Sequence, residues 1–183
     1  MEQLWAPWRM AYLKRRGMPD PGCFLCAFGQ RIAAVGTGEN EVDQVSPDVS
    51  GSDATDLVVW RGRHVYALLN AFPYASGHVL VTPYVHEGML DRLDTATAAE
   101  LMEGTRLLIR ALRLVYQPEG FNVGANLGTA AGAGFGDHLH MHIVPRWGGD
   151  TNFMTTTGDA RVLPEALEDS ARRIQAALAT VAP

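Results

Sequence analysis

The chain has 183 residues, 47% of them apolar and 19% charged, which suits one compact domain with a core of its own. Its formal net charge of −5 excludes a general nucleic-acid binder, which needs a basic face. No apolar run approaches the ~20 residues of a membrane span, and Met1-Glu2-Gln3-Leu4-Trp5 lacks the basic start and apolar core of a signal peptide, so a cytoplasmic protein is expected.

The opening stretch, Leu4-Trp5-Ala6-Pro7-Trp8-Arg9-Met10, is aromatic and broken by proline, so residues 1–22 read as a docking arm. Cys23 and Cys26, the only cysteines, follow it. In a reducing compartment such a pair is a metal half-site or a redox pair rather than a structural disulfide. Its x2 spacing lets two thiolates share one tetrahedral ion. A thioredoxin-type pair, by contrast, should follow a strand and open a helix within a βαβ pattern, which the sequence does not display. Residues 37–56 hold Glu39, Glu41, Asp43, Asp48, Asp53 and Asp56 with no Lys or Arg, and read as an acidic loop insertion. The rest of the chain is close to neutral, which leaves room for a cleft that takes an anion.

Three runs rich in Val, Leu and Tyr come next, at Leu57–Arg61, His64–Asn70 and His78–Thr82. Gly62, Pro73 and Gly77 punctuate them, which predicts strands. Leu101, Leu108, Leu112 and Val115 repeat at helical spacing, predicting a helix over Thr95–Tyr116 that Pro118-Glu119-Gly120 stops. Two more strands are expected at Phe121–Asn126 and His138–Pro145. A last helix, Pro164–Val181, carries the stripe Leu163, Leu167, Ala171, Ile174 and Leu178. Consecutive strands with separate helices give an α+β fold: a five-stranded antiparallel sheet with one long helix and a C-terminal helix, in a single domain over 1–183 whose terminal helical segment spans 160–183.

The chemistry concentrates in His138-Leu139-His140-Met141-His142-Ile143-Val144. On a strand, alternate side chains share a face, so three imidazoles would stand in a row roughly 6.5–7 Å apart, with Leu139, Met141 and Ile143 pointing into a core. A single strand histidine is usually a satisfied polar residue. Three alternating ones, out of six in the chain, are not explained as packing. The row is too long for one ion to take all three at ~2.0–2.1 Å.

His-x-His-x-His followed by two apolar residues resembles the histidine-triad (HIT) signature. Supporting motifs are Leu69-Asn70-Ala71-Phe72-Pro73, Gly77-His78-Val79-Leu80-Val81-Thr82-Pro83 and the segment from Asn122 through Asn126 to Gly128. The tail from Pro145-Arg146-Trp147-Gly148-Gly149-Asp150 to Phe153 is similar to a bacterial branch described as diadenosine tetraphosphate phosphorylase-like. The resemblance runs from about Cys23 to Phe153. It implies a HIT-like fold and a nucleotide hydrolase or phosphorylase acting on dinucleoside polyphosphates or related nucleotidyl compounds. His140 would attack phosphorus and carry the nucleotidyl group, and His142 would hydrogen-bond phosphate or bridging oxygens. Asn126 matches an amide that touches phosphate, Asn70 a residue that holds ribose hydroxyls. The turn Gly132-Ala133-Gly134 would bring backbone N–H groups to phosphate. Many relatives place Gln, Ser or Thr in that turn, whereas this chain has Ala133, Gly134 and Phe135 and so offers no side-chain donor there.

In the zinc-bearing branch the cysteine pair is completed by His86 and His138, which implies a structural Zn²⁺ on Cys23, Cys26, His86 and His138; His64 is a competing ligand. The resemblance also implies a homodimer. Two other readings stand beside the enzyme: a nucleotide-binding HIT protein with weak or vestigial catalysis, and a redox or metal-handling protein built on Cys23 and Cys26.

Overall fold

The computed structural model describes residues 22–35, 57–133, 137–150 and 165–181, with only the backbone given for 31–35. The arm over 1–21, the acidic loop 37–56, Gly134 and Leu163 lie outside the described residues. The described part holds three α-helices, α1 (Phe24–Val35), α2 (Thr95–Tyr116) and α3 (Leu167–Val181). It also holds strands β1 (Val58–Arg61), β2 (Val65–Leu69), β3 (Val79–Pro83), β4 (Gly120–Gly124) and β5 (Met141–Arg146). They form one antiparallel sheet in the order β1-β2-β3-β5-β4, as the α+β expectation requires.

Every residue of β2 and β3 is buried, because both faces of the sheet are covered there. On one face Val65, Ala67, Leu69, Val79, Val81, Met141 and Ile143 pack against Leu101, Leu108 and Leu112 of α2 and Ala171, Ile174 and Leu178 of α3. These are the helix stripes that the periodicity predicts, and together they form the main core. The other face carries a smaller cluster, in which Val58, Tyr66, Leu68 and Leu80 surround Leu25 of α1. The Tyr66 hydroxyl donates to the Leu25 carbonyl at 2.6 Å, tying α1 to the sheet.

Helix α1 was not expected from the sequence. It spans only 12 residues and contains Gly29, so its period is short and weakened. The cysteine pair therefore stands at the opening of a helix, but the sheet pairings are all antiparallel and no βαβ unit surrounds the pair among the described residues. The strand β5 also begins three residues later than expected. Pairing with β3 ends at Val81↔Met141 and with β4 at Gly124↔His142, so the chain before Met141 has lost both neighbours. Its polar groups bond elsewhere: Leu139 N–H donates to the Glu87 carbonyl at 2.6 Å, and the Thr82 hydroxyl to the Leu139 carbonyl at 2.7 Å.

Candidate functional site

The triad segment enters the sheet between β3 and β4, and its apolar residues behave as alternation predicts: Leu139, Met141 and Ile143 are buried in the main core. The histidines occupy the other side, but not as a flat row. His138 turns toward the cysteines. His140 and His142 face each other edge to face, with ring centroids 4.9 Å apart, closer than neighbours in a regular strand.

Each ring has a hydrogen-bond partner that sets its tautomer. The His140 Nδ1–H donates to the His138 carbonyl at 2.9 Å, which leaves Nε2 as a bare lone pair. His142 is held by His78, which stands out in the sequence only as part of the Gly77–Pro83 motif. Tyr74 N–H donates to His78 Nδ1 at 3.1 Å, so the proton of His78 sits on Nε2, which faces His142 Nδ1 at 3.0 Å. His142 accepts there and carries its own proton on Nε2. His78 is fully buried, on the same sheet face as Leu80, which pairs with His142. The signal available in the sequence was parity: His78, two residues before Leu80, falls on the triad's face once β3 is paired with β5.

All three triad rings are held in the neutral form. Burial lowers the pKa of His140, against a smaller opposing effect of the His138 carbonyl. His142 is pushed down to about 4, first by burial and then by repulsion from His140. For His138 burial again dominates the downward shift.

The expected metal ligands converge. Cys23 Sγ lies 3.1 Å and Cys26 Sγ 3.4 Å from His138 Nδ1, and Cys26 Sγ lies 3.2 Å from His86 Nδ1. All four ligand atoms fall within 4.8 Å of one another. His138 donates its Nε2–H to the Pro83 carbonyl at 2.8 Å, so the nitrogen facing the sulfurs is a free lone pair. Two thiols and two imidazole nitrogens around one point fit a tetrahedral metal ion, and the bond to the Pro83 carbonyl is the kind that orients a ligating histidine. Burial, followed by hydrogen bonding and charge from Cys23, raises the Cys26 thiol pKa. His64 is not part of the cluster among the described residues.

Asn70 directly follows β2, and its Oδ1 accepts the Phe72 N–H at 2.9 Å while its amide nitrogen lies 3.4 Å from His78 Nδ1. It thus shapes the turn that carries Tyr74, whose ring lies 4.6 Å from His78 and 6.1 Å from His142. Asn126 is exposed, beyond the end of β4. In the Gly-rich turn, Gly132 takes the left-handed conformation (φ 88°) that a glycine permits. Gly132 N–H donates to the Thr129 carbonyl at 3.0 Å and Ala133 N–H to the Gly128 carbonyl at 3.4 Å, so these two groups close the turn itself.

A sequence profile of the HIT domain matches residues 52–149. The chain is 42% identical over 173 residues to the AP-4-A phosphorylase of Mycobacterium tuberculosis, spanning 94% of this chain and 82% of that protein. It is 31% identical over 94 residues to a bis(5'-adenosyl)-triphosphatase of Saccharomyces cerevisiae, spanning 51% of this chain and 45% of that one. Its fold is similar to the crystal structure of a Zn-bound histidine triad family protein from Mycobacterium smegmatis. The TM-score there is 0.62 at 26% identity, over 87% of this chain and 94% of that one.

Proposed function

Because the chain belongs to the histidine-triad (HIT) family, we propose that it is a nucleotide hydrolase or phosphorylase cleaving dinucleoside polyphosphates through a covalent nucleotidyl-His140 intermediate. The observation that carries this reading is the pair of fixed tautomers: a bare Nε2 on His140 beside an N–H on His142.

His140 Nε2 attacks the phosphorus of the transferred nucleotide, and the P–O bond to the departing polyphosphate breaks with its electron pair on oxygen. That product leaves as an anion and needs a hydrogen-bond donor rather than a proton, which the His142 Nε2–H supplies. The nucleotidylated ring of His140 is then cationic, and the His138 carbonyl on its Nδ1–H stabilises it. In the second half-reaction an oxygen of the acceptor forms the new P–O bond while the P–N bond breaks and its electrons return to His140 Nε2. Hydrogen phosphate as acceptor requires no proton transfer, whereas water releases one proton to solvent. Asn70, Asn126 and the turn over residues 132–134 complete the substrate contacts in this reading.

The proposal includes Zn²⁺ on Cys23, Cys26, His86 and His138. Bound there it would supply cross-linking and not catalysis, since four protein ligands leave no open position. It also includes a homodimer in the cytoplasm: β4 is a sheet edge with Val123 exposed, and α2 exposes Met102 and Leu114. Analytical ultracentrifugation tests the dimer.

A second reading, nucleotide binding with weak catalysis, is favoured by the self-bonded turn and by the absence of a side-chain donor at Ala133. Turnover of diadenosine tetraphosphate with and without inorganic phosphate separates the two. ADP formed only with phosphate identifies a phosphorylase, and AMP formed without it a hydrolase. Bound nucleotide without turnover supports the second reading. His140→Ala is expected to lose at least about a thousandfold in rate while still binding nucleotide.

A further inference from the structure

β3 and β4 flank β5 and both run antiparallel to it. The loop leaving β3, the turn leaving β4 and the triad segment entering β5 therefore emerge at the same end of the sheet. Between them lies a cavity of about 390 Å³, lined by His86, Glu87 and Arg92 of the loop, Gly128 and Thr129 of the turn, and Asp137 beside the triad. The Leu139–Glu87 backbone bond pins this loop to the residue next to His140.

None of the side chains expected to bind substrate supplies a positive charge. The Gly132 and Ala133 N–H groups are engaged within the turn, and Ala133 has no donor of its own. Yet a polyphosphate substrate carries several charges beyond the phosphorus under attack. Arg92 is the cation on the cavity wall. It is exposed on the 3₁₀ turn Leu90–Arg92, and its guanidinium has no hydrogen bond or ion pair among the described residues. The Glu87 carboxylate accepts the Met89 N–H at 2.8 Å, within its own loop. Glu87 and Asp137 place two carboxylates on the wall, and Arg92 and the Thr129 hydroxyl are the lining groups that can donate to an oxyanion. A planar guanidinium presents paired N–H groups that match phosphate oxygens, with a hydroxyl as a further donor.

We propose that Arg92 and Thr129 form a phosphate subsite in this cavity, serving the group that leaves or enters opposite the transferred nucleotide. This rests on the nucleotidyl-transfer reading above and deepens it. The anion has two sources of the same chemistry: the phosphates of the departing nucleotide, and inorganic phosphate as acceptor. Occupancy by the acceptor would favour phosphorolysis over hydrolysis, because it raises the local phosphate concentration at the P–N bond.

The test uses the full chain as wild type, Arg92→Ala, Arg92→Lys and, as a charge-removal control on the exposed face of α2, Arg110→Ala. Calorimetric titration with inorganic tripolyphosphate is expected to show binding to wild type and to Arg110→Ala. A loss of about tenfold or more is expected in Arg92→Ala, with partial recovery in Arg92→Lys. Steady-state assays then separate the sources. A rise in the phosphate concentration needed for half-maximal phosphorolysis assigns the subsite to the acceptor, and a rise in KM for the dinucleotide assigns it to the departing nucleotide. Tripolyphosphate affinity and both constants within about twofold of wild type in Arg92→Ala would overturn the subsite while leaving the activity intact. Arg92-dependent binding of tripolyphosphate by a wild type that cleaves no dinucleotide would do the reverse.

Discussion

At His142 two effects point the same way. Its Nδ1 accepts from His78, and burial keeps it neutral, so its Nε2 remains a donor across the physiological range. Replacing His78 with Ala frees the tautomer without touching the nucleophile. The expected outcome is a fall in kcat of about tenfold to hundredfold with KM little changed, partly restored by His78→Gln, which steady-state kinetics would show. The same burial has a stability consequence. The pKa of His142 is depressed to about 4 in the folded protein, against about 6.5 for a free imidazole. Between those values the unfolded chain binds more protons, so this contribution is fully present above pH 6.5 and is lost as the pH falls toward 4. Urea midpoints measured from pH 7 to pH 4 should decline through that window, and decline less steeply in His142→Gln.

Helix α2 carries the largest share of the main core, and one of its glycines is required by packing rather than by conformation. A Cβ on Gly104 would lie 2.6 Å from one ring atom of Trp60 and 3.0 Å from another. Alanine gains up to about 1 kcal/mol over glycine in a helix interior. Overpacking against a ring that borders the core costs about 1–3 kcal/mol, so Gly104→Ala is expected to lower the urea-unfolding free energy by about 1 kcal/mol. Because α2 lies on the sheet face opposite the histidines, kcat should be unaffected. The long helix and the C-terminal helix were legible because their periods repeat over several turns. The short helix α1 was not: what defines it is Leu25 buried beneath Tyr66 and the hydroxyl bond to the Leu25 carbonyl, both with a strand about 40 residues away.

Over the whole molecule, the four-residue cluster joins three remote segments: the start of α1, the loop after β3 and the triad segment. No helix among the described residues is long and apolar enough to cross a membrane. A metal held at the cluster stabilises the native state by mass action, since the unfolded chain does not assemble the ligands. Removal of zinc by a strong chelator is expected to lower Tm by several degrees, with Cys26→Ser reproducing the loss and metal content by atomic emission falling in parallel. The Gly104→Ala variant should keep its metal, which separates the cluster's contribution from that of the core.

Alternation and helical periodicity are local properties. For that reason the sequence alone determined the α+β class, the order of the five strands and the two longer helices, the buried Leu139, Met141 and Ile143, and the histidine-rich segment as the centre of chemistry. Tertiary structure decided what depends on groups remote in sequence. It delayed the start of β5 to Met141, where its pairing with both neighbouring strands begins, and turned His138 away from its companions toward the cysteines. It also placed His78 behind His142, because the register of β3 on β5 sets which imidazoles meet. Hydrogen bonds to backbone carbonyls and to a buried partner ring then chose the tautomers, and with them which nitrogen is free to attack.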